Sequence, residues 1–170
     1  EGRVTITGGG VLNTSGIASF GLDAGAVGEI GVFGVGSHWS ATGAGHTIGS
    51  SGNGTLVVFD GGRATIASSL TVGSSASSAG FVAVDGAGSR LTVGGAFSTS
   101  NGEAYVTVSN NGLIRSTTVS ISAGGRVALA GGRWEATSAS NSAVLVNGLL
   151  EGSGVIDAQG VTISGGANRG

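Results

Sequence analysis

The chain has 170 residues, 39% of them hydrophobic and 9% charged, with a formal net charge of −2 at pH 7. That balance is the reverse of a disordered chain, and it lacks the basic footprint of a phosphate-backbone binder, so no nucleic-acid partner is expected. With no cysteine there are no disulfides or thiolate metal sites, and no apolar run approaches the length of a membrane-spanning helix, so no transmembrane segment is expected. Glycine occurs 37 times and proline not at all. Glycine at that density disfavours helices, where it costs ~1 kcal/mol against alanine, and suits tight turns. Without proline, nothing interrupts a strand ladder. No secretory signal opens the chain and "EGRVTITGGG" already reads as mid-pattern, so a fragment of a longer protein is expected.

In chain order, one three-part unit keeps returning. Units begin at Gly2, Gly28, Gly54, Gly80, Gly102 and Gly125, at spacings of 26, 26, 26, 22 and 23. Each opens with an apolar alternation: "RVTI", "EIGVF", "TLVVF", "FVAV", "EAYVTV", "RVAL". A glycine-bearing corner follows: "GGG", "GVGS", "DGG", "DGAGS", "NNG", "AGG". A second strand comes next, then a third: "IASFG", "HTIGS", "LTVGS", "AFSTS", "VSISA", "AVLVN". Glycines are corners and apolar runs are sides. The predicted fold is all-β: a right-handed parallel β-helix, a three-sided solenoid of about six to seven coils of 22–26 residues. Residues 1–147 form the β-helix coils, and 148–170 form a closing coil that continues the same solenoid. A sandwich of antiparallel hairpins explains the alternation but not three sides at a fixed unit length.

Side-chain volumes give the inside. On the second strand, Leu12, Trp39, Ala64, Leu91, Ile114 and Trp134 make one inward column, with Trp39, Leu91, Ile114 and Trp134 as its structural core. Two residues on lie Thr14, Ala41, Ile66, Val93, Ser116 and Ala136. Each Trp is followed by Ala, and the small Ala64 by Ile66, the exchange that close packing demands. On the first strand, Val4/Ile6, Ile30/Val32, Leu56/Val58, Val82/Val84 and Val127/Leu129 point inward at period two. The longer "EAYVTVS" is expected to carry a bulge, with Ala104, Val106 and Val108 inside.

Two unit types alternate over 52 residues: "GVGSHW" (34–39) and "GAGSRL" (86–91) in one, a "GG" corner as in "DGGRA" (60–64) in the other. Near the end stands "NGLLEGSGVIDAQGVTISGG" (147–166), with the pattern L-x-G-x-G-x-I. These features resemble the repeats of type V secretion and PEP-CTERM-associated surface proteins, found in autotransporter passenger domains. The resemblance covers nearly the whole chain. It departs from the family in coil five, which lacks a Gly-Gly corner, and in having no translocator barrel here. It implies export to the surface of a Gram-negative bacterium, with the β-helix as stalk or adhesive body. It brings no catalytic residues.

Motifs for chemistry are sparse. No G-x-x-x-x-G-K-[ST] or H-E-x-x-H occurs, and "GVGSHW" and "GAGSRL" lack the third glycine and following helix of a dinucleotide loop. "DGGRATIA" has no acid after its glycines, so it is no calcium nonapeptide. Neither cofactor nor metal is expected. Asp60 and Asp85 stand in corners one coil apart and stack as a carboxylate pair if the register allows; Asp before Gly is also ordinary turn chemistry. His38 and His46 are expected as surface imidazoles, His38 because it precedes the inward Trp39. No G-x-S-x-G elbow accompanies the many serines. "NTS" at Asn13 carries little meaning in a bacterial chain.

Two outward columns remain. His38, Arg63, Arg90 and Arg133 occupy equivalent positions beside the inward column, interrupted by Leu113. They form a basic stripe suited to sulfated, phosphorylated or carboxylated glycans, or else solvated charge that keeps a flat face soluble. Phe33, Phe59, Phe81 and Tyr105 fall at outward or corner positions, to stack on sugars or to fold over a corner. The functional expectation is therefore non-enzymatic: a structural and adhesive extracellular segment whose partners are surface glycans on a host or neighbouring cell. A self-associating filament or matrix module is the alternative, and a polysaccharide-processing enzyme on the same fold is a third class. An enzyme of that kind needs clustered acids, and nine are scattered here.

Overall fold

A computed structural model describes residues 1–141 and 143–164, together with the backbone of 167–169. Every regular element in it is a strand, and every strand pair is parallel. Coil one is β1 (Gly2–Ile6), β2 (Val11–Thr14) and β3 (Ser19–Phe20); coil two is β4 (Val27–Phe33), β5 (His38–Ala41) and β6 (His46–Ile48). Coil three is β7 (Asn53–Phe59), β8 (Arg63–Ile66) and β9 (Leu70–Val72); coil four is β10 (Ala79–Asp85), β11 (Arg90–Val93) and β12 (Ala96–Thr99). Coil five is β13 (Glu103–Ser109), β14 (Leu113–Ser116) and β15 (Thr118–Ile121). In coil six the long β16 (Gly125–Ala136) serves both first and second sides before β17 (Val144–Val146), and β18 (Leu149–Asp157) does the same in the next coil before β19 (Val161–Ile163). A last strand, β20 (Ala167–Arg169), pairs with β18. The molecule is thus a parallel β-helix, with β18 and β19 continuing the stack. Gly165, Gly166 and Gly170, within the expected closing coil, lie outside the described residues.

Because strands pair only with the coils above and below, each side is a ladder that satisfies the backbone amides. The first two sides join through β16 into one sheet, and the third side forms a separate seven-stranded sheet. The inward column is in register as its volumes require: Leu12 opposes Trp39, Trp39 opposes Ala64, Ala64 opposes Leu91, Leu91 opposes Ile114, and Ile114 opposes Trp134. Trp39, Leu91, Ile114 and Trp134 are all buried. The residues beside each indole do more than leave room. Thr14 Oγ1 accepts a hydrogen bond from Trp39 Nε1 at 3.3 Å, and Ser116 Oγ accepts one from Trp134 Nε1 at 3.0 Å. The rings of Phe20 and Phe97, from the third side, meet Trp39 and Trp134 edge-on.

The alternation of unit types has a physical cause at the first corner. The "GxGS" corners of coils two and four end in buried Ser37 and Ser89. Each hydroxyl accepts the amide of a glycine in the corner of the preceding coil: Gly9 N–H donates to Ser37 Oγ (3.1 Å), and Gly61 N–H to Ser89 Oγ (2.9 Å). A serine corner thus satisfies the Gly-Gly corner beneath it, so the two types come in pairs. In coil five, Asn110 (φ 50°) and Asn111 (φ 65°) hold the left-handed conformation that glycine supplies elsewhere, and Asp60 (φ 56°) does so in coil three.

Three expectations change. Gly80 pairs with Ala104, and Ala104 with Gly125, so coil five begins at Ala104, and Gly102 belongs to the preceding corner. β13 matches β10 residue for residue, with no bulge. The register shift falls on its other side, where Val108 opposes Leu129 but Ser109 opposes Gly131, because the corner of coil six is one residue longer. His46 is buried rather than a surface imidazole. Its Nδ1 accepts the Ala18 amide (3.0 Å) and its Nε2 donates to the Gly43 carbonyl (2.8 Å), so the ring links coils one and two.

Candidate anion-binding face

The second side owes its surface to a short alternation. In "RATI" and "RLTV", Ala64/Ile66 and Leu91/Val93 fill the interior, so Arg63/Thr65 and Arg90/Thr92 face out. Parallel register then aligns the outward residues: His38 opposes Arg63, Arg63 opposes Arg90, Arg90 opposes Leu113, and Leu113 opposes Arg133. Thr65 and Thr92 form a second column beside the cations. At a strand spacing of ~4.8 Å, the three basic rungs span ~10 Å.

The four expected stripe residues are not equivalent. Arg133 contacts Glu135 at 3.1 Å and Asp157 at 2.5 Å, and is neutralised. Arg3, Arg115 and Arg126 also pair with carboxylates, Glu29, Glu135 and Glu151. Arg63 and Arg90 pair with no carboxylate among the described residues. They are both exposed and stand directly opposite each other, like charges on adjacent strands, an arrangement that destabilises a sheet by a few tenths of a kcal/mol or more. His38 joins them half-buried, its Nε2 3.0 Å from Thr65 Oγ1. Along this side runs a groove of about 510 Å³ lined by His38, Arg63, Thr65, Arg90 and Thr92 with the corner residues Gly36, Ser37 and Gly61. Two forked guanidinium groups with hydroxyls beside them can hold a sulfate, phosphate or carboxylate. The signal for the threonine column is the R-x-T spacing of both strands, which a reading of charge alone passes over.

The acids of the corners do not form a pair. Register sets Asp85 opposite Phe59, one residue away from Asp60. Asp85 Oδ1 instead accepts hydrogen bonds from Ser109 Oγ (2.6 Å) and Asn110 Nδ2 (2.7 Å) of coil five, and Asp60 occupies the turn itself. Among the described residues no group of three or more His, Asp or Glu side chains could hold a metal ion, and no helix is long and apolar enough to cross a membrane.

The aromatic residues divide into two sets on the first side. Phe33 opposes Phe59 at the corner end, the rings 5.9 Å apart and edge-on. Phe33 folds back over Gly31, where an added Cβ would strike its ring. Phe81 and Tyr105 stand at an earlier position on their strands and stack, with centroids 5.7 Å apart.

No protein-family model matches the chain, and no curated protein or solved structure matches it.

Proposed function

We propose that the chain is a rigid structural and adhesive segment of an extracellular, autotransporter-like surface protein, exported to the outer surface of a Gram-negative bacterium, and that its second side binds anionic glycans. The observation that carries the binding half is the juxtaposition of Arg63 and Arg90, in register, exposed and without a carboxylate among the described residues, while Arg3, Arg115, Arg126 and Arg133 each have one. Such a pair costs the sheet stability unless an anion bridges it. The stalk half rests on the resemblance of the "GVGSHW", "GAGSRL" and "DGGRA" repeats and on the parallel β-helix they build. The reading is non-enzymatic: Asp60 and Asp85, the corner acids that could have stacked as a carboxylate pair, are out of register, and the opposed Glu135 and Asp157 are both engaged by Arg133.

Each exposed ionic contact contributes ~0.2–1 kcal/mol, so affinity has to come from several contacts along the stack and falls with salt. The test is binding of sulfated, phosphorylated and uronic-acid polysaccharides at low and moderate salt. The double variant Arg63→Ser/Arg90→Ser should weaken binding by about two- to thirty-fold. Arg133→Ser, which removes an already neutralised cation, should change it little. Binding that ignores both salt and the double variant would leave the second side as plain solvated surface.

A further inference from the structure

The first side holds a different arrangement, independent of the arginine pair. Its outward column runs, in register, Arg3, Glu29, Thr55, Phe81, Tyr105 and Arg126. Three successive rungs are flat groups in a stack. The Phe81 and Tyr105 rings lie 26° from parallel, and the Arg126 guanidinium carbon sits 5.3 Å from the Tyr105 centroid. Glu151 Oε1 accepts a hydrogen bond from Arg126 Nε at 2.6 Å and closes that end. At the other end the stack stops at Thr55, too small to cover a ring. The side of Phe81 turned toward Thr55 therefore has no flat partner, and it stands at one end of a groove of about 580 Å³ that runs along the strand starts from Asn53 and Thr55 past Phe81 to Tyr105 and Arg126.

We propose that this groove binds one neutral pyranose ring, seated over Thr55 as the missing rung of the stack. From Phe81 to Glu29 is two strand spacings, ~9–10 Å, which admits one ring packed ~3.5–4 Å from Phe81. A pyranose offers an apolar C–H face to Phe81 and a rim of hydroxyls to its surroundings. The Asn53 amide and the Thr55 hydroxyl, both on the rung beneath the ring, supply partners for that rim; among the described residues neither is engaged in a side-chain hydrogen bond. The arginines of this column, Arg3 and Arg126, are each held by a carboxylate, so the slot offers no free cation and takes a neutral sugar where the second side takes a charged one. The proposal stands whether or not the arginine pair binds anything.

The test is binding of a printed array of neutral glucose-, galactose- and mannose-containing oligosaccharides. Thr55→Phe fills the slot with a ring that continues the aromatic stack. It should keep or raise the melting temperature while weakening neutral-glycan binding at least tenfold. Phe81→Leu should weaken it similarly while the β-sheet circular dichroism is retained, which preserves the test if the first variant misfolds. Arg63→Ser/Arg90→Ser should leave neutral binding intact, separating this site from the anion groove. An array with no neutral ligand, or neutral binding that survives Thr55→Phe in a folded protein, would overturn the proposal.

Discussion

Trp134 fits its coil because the neighbouring coil yields both space and a hydrogen-bond acceptor. Its indole is buried, Ala136 follows it on the same side, and Ser116 of coil five takes its N–H. Trp39 repeats the arrangement with Ala41 and Thr14. Removing Trp134 empties a large volume, whereas removing the Ser116 hydroxyl strands a buried donor. Trp134→Ala should therefore cost ~3–5 kcal/mol and Ser116→Ala ~1–3 kcal/mol in denaturant unfolding. The adjacent Arg133→Ala, an exposed ion pair, should cost under ~1 kcal/mol. Equal losses for Trp134→Ala and Arg133→Ala would contradict the inside–outside assignment. Backbone conformation is as specific at Asn111, where φ is 65°. Asn111→Gly should leave stability nearly unchanged, and Asn111→Ala should lower it by ~1–2 kcal/mol. An alanine variant as stable as the glycine variant would mean that the corner relaxes to another conformation.

At the scale of the element, the corners carry the information that distinguishes coils. A serine corner accepts an amide from the glycine corner of the preceding coil, so Ser89→Ala leaves Gly61 N–H buried without its acceptor. That substitution should cost ~1–3 kcal/mol, against ~0.5 kcal/mol or less for Ser120→Ala on the outer surface of β15. Similar melting curves for the two would remove the explanation of the two-coil repeat. The sides were legible in the sequence because period-two alternation and Trp–Ala compensation are local signals: the columns through Trp39 and Leu91 and through Val82 and Val84 follow from them directly. Corner length is not a local signal. Coil five starts at Ala104, and not at the more conspicuous Gly102, because the preceding corner is shortened, and nothing in "STSNGEA" marks by how much. The extra residue near Ala130 has no local mark for the same reason, and the longer-looking "EAYVTVS" draws the expected bulge to coil five instead. His46 looked exposed because it begins its strand. It is buried because Ala18 and Gly43, on two different coils, offer an amide and a carbonyl to its two nitrogens. The candidate site was half legible: the arginine column shows in "GGRA" and "GSRL", but the neutralisation of Arg133 by Asp157 depends on a carboxylate 24 residues further along the chain.

For the whole molecule, stacking in register turns a dilute set of charges into faces of different character. The second side carries an unneutralised basic pair midway along the stack and an ion-paired cluster around Arg115, Arg133, Glu135 and Asp157 towards its end. The first side carries a flat stack of Phe81, Tyr105 and Arg126. Each coil packs on its neighbours, so the faces are rigid rulers with a ~4.8 Å step, and in the proposed binding repetition would supply the avidity that single exposed contacts lack. The central claim is that Arg63 and Arg90 stay unpaired for binding at the expense of stability, and Arg90→Glu tests it most directly. Replacing repulsion by a cross-strand ion pair should stabilise the sheet by up to ~1 kcal/mol, raising Tm by about 2–4 °C, while binding to sulfated or uronic-acid polysaccharide is lost. A variant that is less stable than the parent, or one that binds the anionic polysaccharide as well as the parent does, would contradict the account.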